Sequence, residues 1–76
     1  MGDEQLPEWI IIIFEKAKYY AETGDAVHLT TNEGRFYNGI VVEVNKKRLV
    51  LDDEKLGKTF LLLSELKHIE PREAKR

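Results

Sequence analysis

The chain has 76 residues, the length of one small domain, which buries only about 60% of its unfolded surface and so needs a staple or a partner. Its 12 Lys and Arg residues against 14 Asp and Glu residues give a net charge of -2, so nucleic-acid binding would have to be local. The absence of cysteine excludes disulfides and thiolate metal sites. No apolar run reaches the roughly 20 residues of a membrane span, and no signal-peptide pattern is present. We therefore expect a cytoplasmic protein with no membrane partner.

The first predicted element is a helix over residues 7–22. Pro7 suits a first helical turn, and Gly24 lies where a helix-ending glycine is typical. The four consecutive isoleucines would also suit a strand, but these flanks favour a helix. Because one apolar stripe runs along it and a second stripe is apolar at its start, we expect the helix to be covered on more than one side. The first stripe is Ile10, Ile13, Phe14, Ala17 and Ala21, and the second is Trp9, Ile12, Lys16 and Tyr19.

Five short strands are predicted after the helix. They cover residues 26–31, 35–44, 49–51, 59–63 and 66–69, separated by Gly, Asn and charged turns. Gly39, in the middle of the long second strand, predicts a bend or a bulge. Strands of this kind close most economically as a small barrel. The fold class is therefore mainly β, with a helix before a strongly bent antiparallel sheet. One domain spans 7–71, between a flexible N-terminus 1–6 and a flexible basic tail 72–76.

Catalytic chemistry has little support in the sequence. The chain has two histidines, and no catalytic motif or phosphate-binding loop is visible. Asp52, Asp53 and Glu54 could bind a divalent cation, but they lack the spacing of a calcium loop and are predicted to form a solvated turn. We expect a protein that is not an enzyme and has neither a cofactor nor a metal site.

The segment Gly34 to Val41, followed by the run Leu49 to Leu51, resembles the first signature of the Sm-like (LSm) family. Glycine-bent barrels of the SH3 type show a similar pattern. The Sm-like resemblance implies a helix before five bent antiparallel strands. It also implies rings of six or seven identical subunits that bind single-stranded RNA around a pore.

The same resemblance implies that the fourth strand of one subunit joins the fifth strand of the next. An uninterrupted apolar run follows Thr59, and at a sheet edge such a run is an aggregation hazard unless a partner covers it. The alternative is a strand covered on both faces within one barrel. The predicted oligomer interface comprises Thr59, Phe60, Leu61, Leu62, Leu63, Leu66, His68 and Ile69.

The family's RNA pocket uses an Asp and an Asn from the turn after the bent strand, and an Arg-Gly pair between the last two strands. Here Asn45 falls at the Asp position, Arg48 at the Asn position, and Leu62-Leu63 at the Arg-Gly position. The usual uridine pocket is therefore not expected. A basic turn repeated around a ring would instead attract phosphates, and Tyr37 or His68 could stack on a base. The predicted RNA-binding residues are Asn45, Lys46, Lys47, Arg48, Tyr37 and His68.

Other interpretations stay open at this point. A basic tripeptide is also typical of a plain solvated turn. A monomeric or dimeric SH3-like adaptor would use Trp9, Ile12 and Tyr19 to bind a protein. A structural ring that has lost RNA binding is favoured by Leu62-Leu63.

Overall fold

A computed structural model describes residues 6–72 of the chain. The predicted flexible ends, 1–6 and 72–76, lie almost wholly outside that range. The structure confirms a helix followed by five antiparallel strands in one sheet. The elements are α1 (Glu8–Thr23), β1 (Ala26–Thr31), β2 (Phe36–Val44), β3 (Arg48–Asp53), β4 (Gly57–Leu62), a 3-10 turn (Leu63–Glu65) and β5 (Leu66–Pro71).

Backbone contacts define both ends of α1. The carbonyl of Pro7 accepts hydrogen bonds from the N–H groups of Ile10 at 3.0 Å and Ile11 at 3.2 Å, which starts the helix. Gly24 ends it with a φ of 78° and an N–H that donates to the carbonyl of Tyr20. Since a side chain is disfavoured at positive φ, glycine is the natural residue there.

Only one of the two apolar stripes of α1 is buried. Ile10, Ile13 and Ala17 pack into the core. Trp9 is 46% exposed and Ile12 is 51% exposed. The expectation that the helix is covered on a second side is therefore not met by residues 6–72. No helix among residues 6–72 is both long and apolar enough to cross a membrane.

The predicted closed barrel is wrong. The strands follow the order β4-β3-β2-β1-β5, so the sheet is open and β4 and β5 are its two edges. The 3-10 turn at Leu63–Glu65 carries the chain from one edge to the other, and within residues 6–72 these two strands are not hydrogen-bonded to each other. Each edge therefore keeps a row of backbone groups without a strand partner.

The bulge predicted at Gly39 lies three residues further along β2. The register irregularity lies further along β2, where pairing passes from Val41 opposite Leu51 to Glu43 opposite Val50 and leaves Val42 as the extra residue. A Cβ on Gly39 would lie 2.0 Å from the backbone carbonyl oxygen of Asp52. Glycine is present because β2 and β3 approach too closely for any side chain.

The core lies between α1 and the inner face of the sheet, and this face contributes most of the buried side chains. Every strand supplies at least one of them. The cluster comprises Ile10, Ile13, Ala17, Val27, Leu29, Val41, Leu49, Leu51, Leu61, Leu63, Leu66 and Ile69.

Candidate nucleic-acid interface

The basic turn connects β2 to β3, and its shape is set by Asn45. The side-chain oxygen Oδ1 of Asn45 accepts the backbone N–H groups of Lys47 at 2.8 Å and Arg48 at 2.9 Å. The backbone N–H of Asn45 donates to the carbonyl of Arg48 at 2.9 Å. The Asn45 side chain thus stabilises the conformation of its own turn. Its Oδ1 already accepts two hydrogen bonds and so does not distinguish one RNA base from another.

The cationic side chains of this turn are exposed. Lys46 and Lys47 lie at its tip and are exposed to solvent. The Arg48 guanidinium lies 6.0 Å from the centre of the Phe60 ring on β4, within cation-π range. The turn therefore presents two exposed ammonium groups and one guanidinium held over an aromatic face.

Tyr37 lies in a different cavity, of about 410 Å³, on the inner side of β2. Arg35, Glu65 and Leu61 also line it, and none of the four turn residues does. Interaction with the Tyr37 side chain raises the pKa of Arg35 above its ordinary value. This guanidinium therefore stays charged. Tyr37 is half-buried, which leaves only part of its ring open to a ligand.

His68 lies on β5, at the edge of the sheet, opposite Thr30. Its Nε2 is 3.3 Å from Oε1 of Glu70. It lines a groove of about 160 Å³ between α1 and β5, together with Trp9, Ile12 and Lys16. The six predicted RNA-binding residues therefore occupy three separate surfaces of the chain: the turn, the Tyr37 cavity and this groove.

The predicted oligomer interface divides into buried and exposed side chains. Leu61, Leu63, Leu66 and Ile69 are buried in the chain's own core. Phe60 is 59% exposed, and Leu62 is 49% exposed. Of the apolar side chains in this set, only these two are available to a partner.

Asp53 lies in a different environment from the solvated turn that was predicted for it. It is buried, whereas Asp52 and Glu54 are exposed as predicted for a solvated turn. Its carboxylate accepts the backbone N–H groups of Asn38, Lys55 and Leu56 at 3.0, 2.9 and 3.0 Å. Burial alone would raise the pKa of Asp53, but these N–H donors outweigh it and hold the pKa below its ordinary value.

The outer face of the sheet carries a second group that the sequence did not single out. The rings of His28 and Phe36 are stacked with centroids 5.4 Å apart, and His28 Nδ1 lies 2.7 Å from Asn38 Oδ1. Strand alternation places these residues on one face, but the pairing of β1 with β2 that brings them together is a long-range feature. Among residues 6–72, no group of three His, Asp or Glu side chains is arranged to hold a metal ion.

Comparison with known proteins rests on three-dimensional structure alone. No family model matches the chain, and neither does any curated protein sequence. Among solved structures, the chain is similar to the crystal structure of the pleiotropic translational regulator Hfq, with a TM-score of 0.68. The match covers 76% of this chain and 95% of the Hfq chain at 12% identity.

The fold is Sm-like. The order of one helix and five antiparallel strands is shared with Hfq, and the match covers nearly the whole of that chain. At 12% identity, the likeness describes the backbone and transfers no residue role.

Proposed function

We propose that this protein is a divergent Sm-like ring subunit of the cytoplasm that binds single-stranded RNA with little sequence preference and is not an enzyme. The observation that carries the proposal is the open sheet, in which β4 and β5 form the two opposite edges. A head-to-tail contact that joins one edge to the other in the next copy repeats around a closed ring of six or seven subunits. Likeness to a translational regulator supports a role in RNA binding.

Assembly removes a physical liability of the isolated chain. Unpaired edge strands expose backbone N–H and C=O groups that pair readily with other chains. At the β4 edge, exposed Phe60 and Leu62 add apolar surface to those groups. In a ring both edges of every subunit are paired, because its β4 joins the β5 of one neighbour and its β5 joins the β4 of the other.

RNA affinity in this proposal comes from repetition of the basic turn. One copy of Lys46, Lys47 and Arg48 is a small patch on a chain whose net charge is -2. A ring multiplies that patch, and contacts between cations and phosphates supply sequence-independent affinity that falls steeply with salt. Because Asn45 orders its own turn, we expect similar binding to oligo-U and oligo-A.

The test combines mass with binding. Light scattering should give a mass of six or seven subunits, and retention of short oligo-U and oligo-A should fall between low and moderate salt. Replacing Lys46 and Lys47 by Ala should weaken binding at least about tenfold and reduce the salt slope by about 0.7 for each lost phosphate contact with a single strand. A monomer at micromolar concentration contradicts the proposal.

The matched control replaces two other exposed lysines, Lys18 and Lys55, by Ala. Both variants lose the same charge, so a general electrostatic effect would weaken them equally. The proposal requires the control to keep most of its affinity. Equal losses of oligonucleotide affinity in the two variants would show that the basic turn is not part of the binding site.

A structural ring without RNA binding is the second candidate. Leu63, in the second position of Leu62-Leu63, is 1% exposed, and an apolar side chain in the core supplies no donor to a nucleic acid. This candidate predicts a ring of the same mass with no salt-dependent retention of oligonucleotides. An SH3-like adaptor instead predicts a monomer or dimer that is indifferent to the loss of Lys46, Lys47 and Arg48.

A further inference from the structure

The free backbone groups of the β4 edge belong to residues whose side chains lie on the outer face. The N–H of Leu63 donates to the carbonyl of Lys47 at 2.9 Å, so the backbone of Leu63 is directed toward β3. Backbone direction alternates along a strand, and β4 pairs with β3 without a register shift. The N–H and C=O groups of Phe60 and Leu62 are therefore directed away from the sheet. Both side chains are exposed.

The β5 edge has the opposite arrangement. The N–H of Arg72 donates to the carbonyl of Ala26 at 2.9 Å, so the backbone of Arg72 is directed toward β1. The backbone groups of Glu70 and His68, at two-residue spacing from it, have the same direction. The backbone groups of Ile69 and Pro71 are therefore directed away from the sheet. The side chain of Ile69 is buried on the inner face, which α1 covers. Pro71 lacks an N–H and is tolerated where that donor would be unpaired.

An antiparallel junction of the two edges brings the outer face of β4 to the inner face of β5 in the next copy. In an antiparallel pair, residues that exchange backbone hydrogen bonds lie opposite each other and place their side chains on the same face. A β4 strand added to β5 offers the backbone of Phe60 or Leu62, while β5 offers that of Ile69. The outer side chains of the added strand consequently lie on the inner side of the receiving chain.

A groove is present at that place. It runs between α1 and β5, and its lining combines apolar with basic side chains: Trp9, Ile12, Ile13, Ile69, Lys16, Lys67 and His68. Trp9 and Ile12 belong to the helix stripe that stays exposed among residues 6–72. The unpaired edge, the exposed Phe60 and the uncovered stripe are three separate observations, and one contact accounts for all of them.

We propose that Phe60 of one copy inserts into the groove between α1 and β5 of the next copy, against Trp9 and Ile12. The occupant is a second copy of this chain, because the chain itself provides the complementary edge. Leu62 lies at two-residue spacing from Phe60 and extends the contact along β5. This inference rests on the proposed assembly and specifies the side chains that hold the ring together.

Trp9 reports this contact directly, since it is the one tryptophan in the 76 residues. Its fluorescence should shift to the blue as protein concentration rises through assembly. Replacing Phe60 by Ser should raise the concentration for half-assembly at least about tenfold, which corresponds to about 1.4 kcal/mol, and should delay the shift equally.

The control is Phe36→Ser. Phe36 is 64% exposed, against 59% for Phe60, but it lies on the central strand β2 and stacks on His28. We expect this variant to assemble and to shift like the wild type. Equal weakening in the two variants, or wild-type assembly with unchanged Trp9 emission, would overturn the Phe60 contact and leave the ring standing. A wild-type monomer at every concentration would remove the ring itself.

Cross-linking gives a second test that holds even if Phe60→Ser fails to fold. The chain has no cysteine, so Ile12→Cys combined with Phe60→Cys introduces the only two thiols, both at exposed positions. A short bis-maleimide should produce a ladder of dimers, trimers and larger species. The pair Ile12→Cys and Phe36→Cys should remain largely monomeric. A ladder from the control pair alone would contradict the proposal.

Discussion

At the scale of single residues, Asp53 is the clearest link between chemistry and fold. One buried carboxylate receives three backbone N–H groups, from Asn38 on β2 and from Lys55 and Leu56 in the turn before β4. Hydrogen bonds to a charged acceptor contribute more than neutral ones. Asp53 therefore fixes the β3–β4 hairpin and ties it to the central strand.

Asp53→Asn should destabilise the fold by about 1–3 kcal/mol, because the amide keeps one acceptor oxygen and has no charge. Denaturant unfolding at neutral pH measures this change. Asp52→Asn, at the exposed neighbour, is the control and should cost much less. Similar losses in both variants would show that the three N–H contacts contribute little.

The same carboxylate makes stability depend on pH. The pKa of Asp53 is lower in the folded chain than the ordinary value of about 3.9, so folding favours the ionised form. Its contribution is complete above that ordinary value and is lost as the pH falls toward the lower folded pKa. Between neutral pH and about pH 3, the free energy of unfolding should fall less for Asp53→Asn than for wild type. Equal acid losses would contradict the assignment.

At the scale of elements, the pairing of β2 with β3 depends on the absence of one side chain. Gly39 lies opposite Asp53, and the carbonyl of Asp52 occupies the space that a Cβ would need. The obstacle is backbone, which cannot rotate away as a flexible side chain can. The close approach also brings the N–H of Asn38 within 3.0 Å of the Asp53 carboxylate.

Gly39→Ala should therefore cost about 3 kcal/mol or more, at the upper end of the range for overpacking. Ile40→Ala, at an exposed neighbour on the same strand, should cost far less. Denaturant midpoints of the two variants measure the difference. A Gly39→Ala protein of nearly wild-type stability would mean that β3 moves away at little cost.

At the scale of the whole molecule, the proposed ring links stability to assembly. A ring that forms from folded chains stabilises them by mass action, so the melting temperature should rise with protein concentration. Phe60→Ser should have a nearly constant melting temperature over the same range, and Phe36→Ser should follow the wild type. A wild-type melting temperature independent of concentration would contradict assembly.

The sequence predicted the helix and the strands, but it did not predict that the sheet stays open. Pro7, Gly24 and the stripe of Ile10, Ile13 and Ala17 defined the helix through local rules, and alternation in 26–31 defined β1. The open sheet was missed because it depends on where the 3-10 turn at Leu63–Glu65 directs the chain, which local patterns do not encode.

The candidate site shows the same division between local and long-range information. The exposed basic turn follows from its own residues, whereas the burial of Asp53 follows from the approach of Asn38, fifteen positions away. The groove that holds His68 likewise depends on α1 and β5, which are far apart in sequence.

Pro71 has a consequence for chains that have not yet met a partner. It sits at the β5 edge, where it withholds the donor that the next hydrogen bond of an added strand would use. An added strand therefore forms one hydrogen bond fewer there, which makes this edge less prone to pair with foreign strands. In the proposed assembly, the junction with the next copy therefore depends on the Phe60 side chain as well as on the backbone.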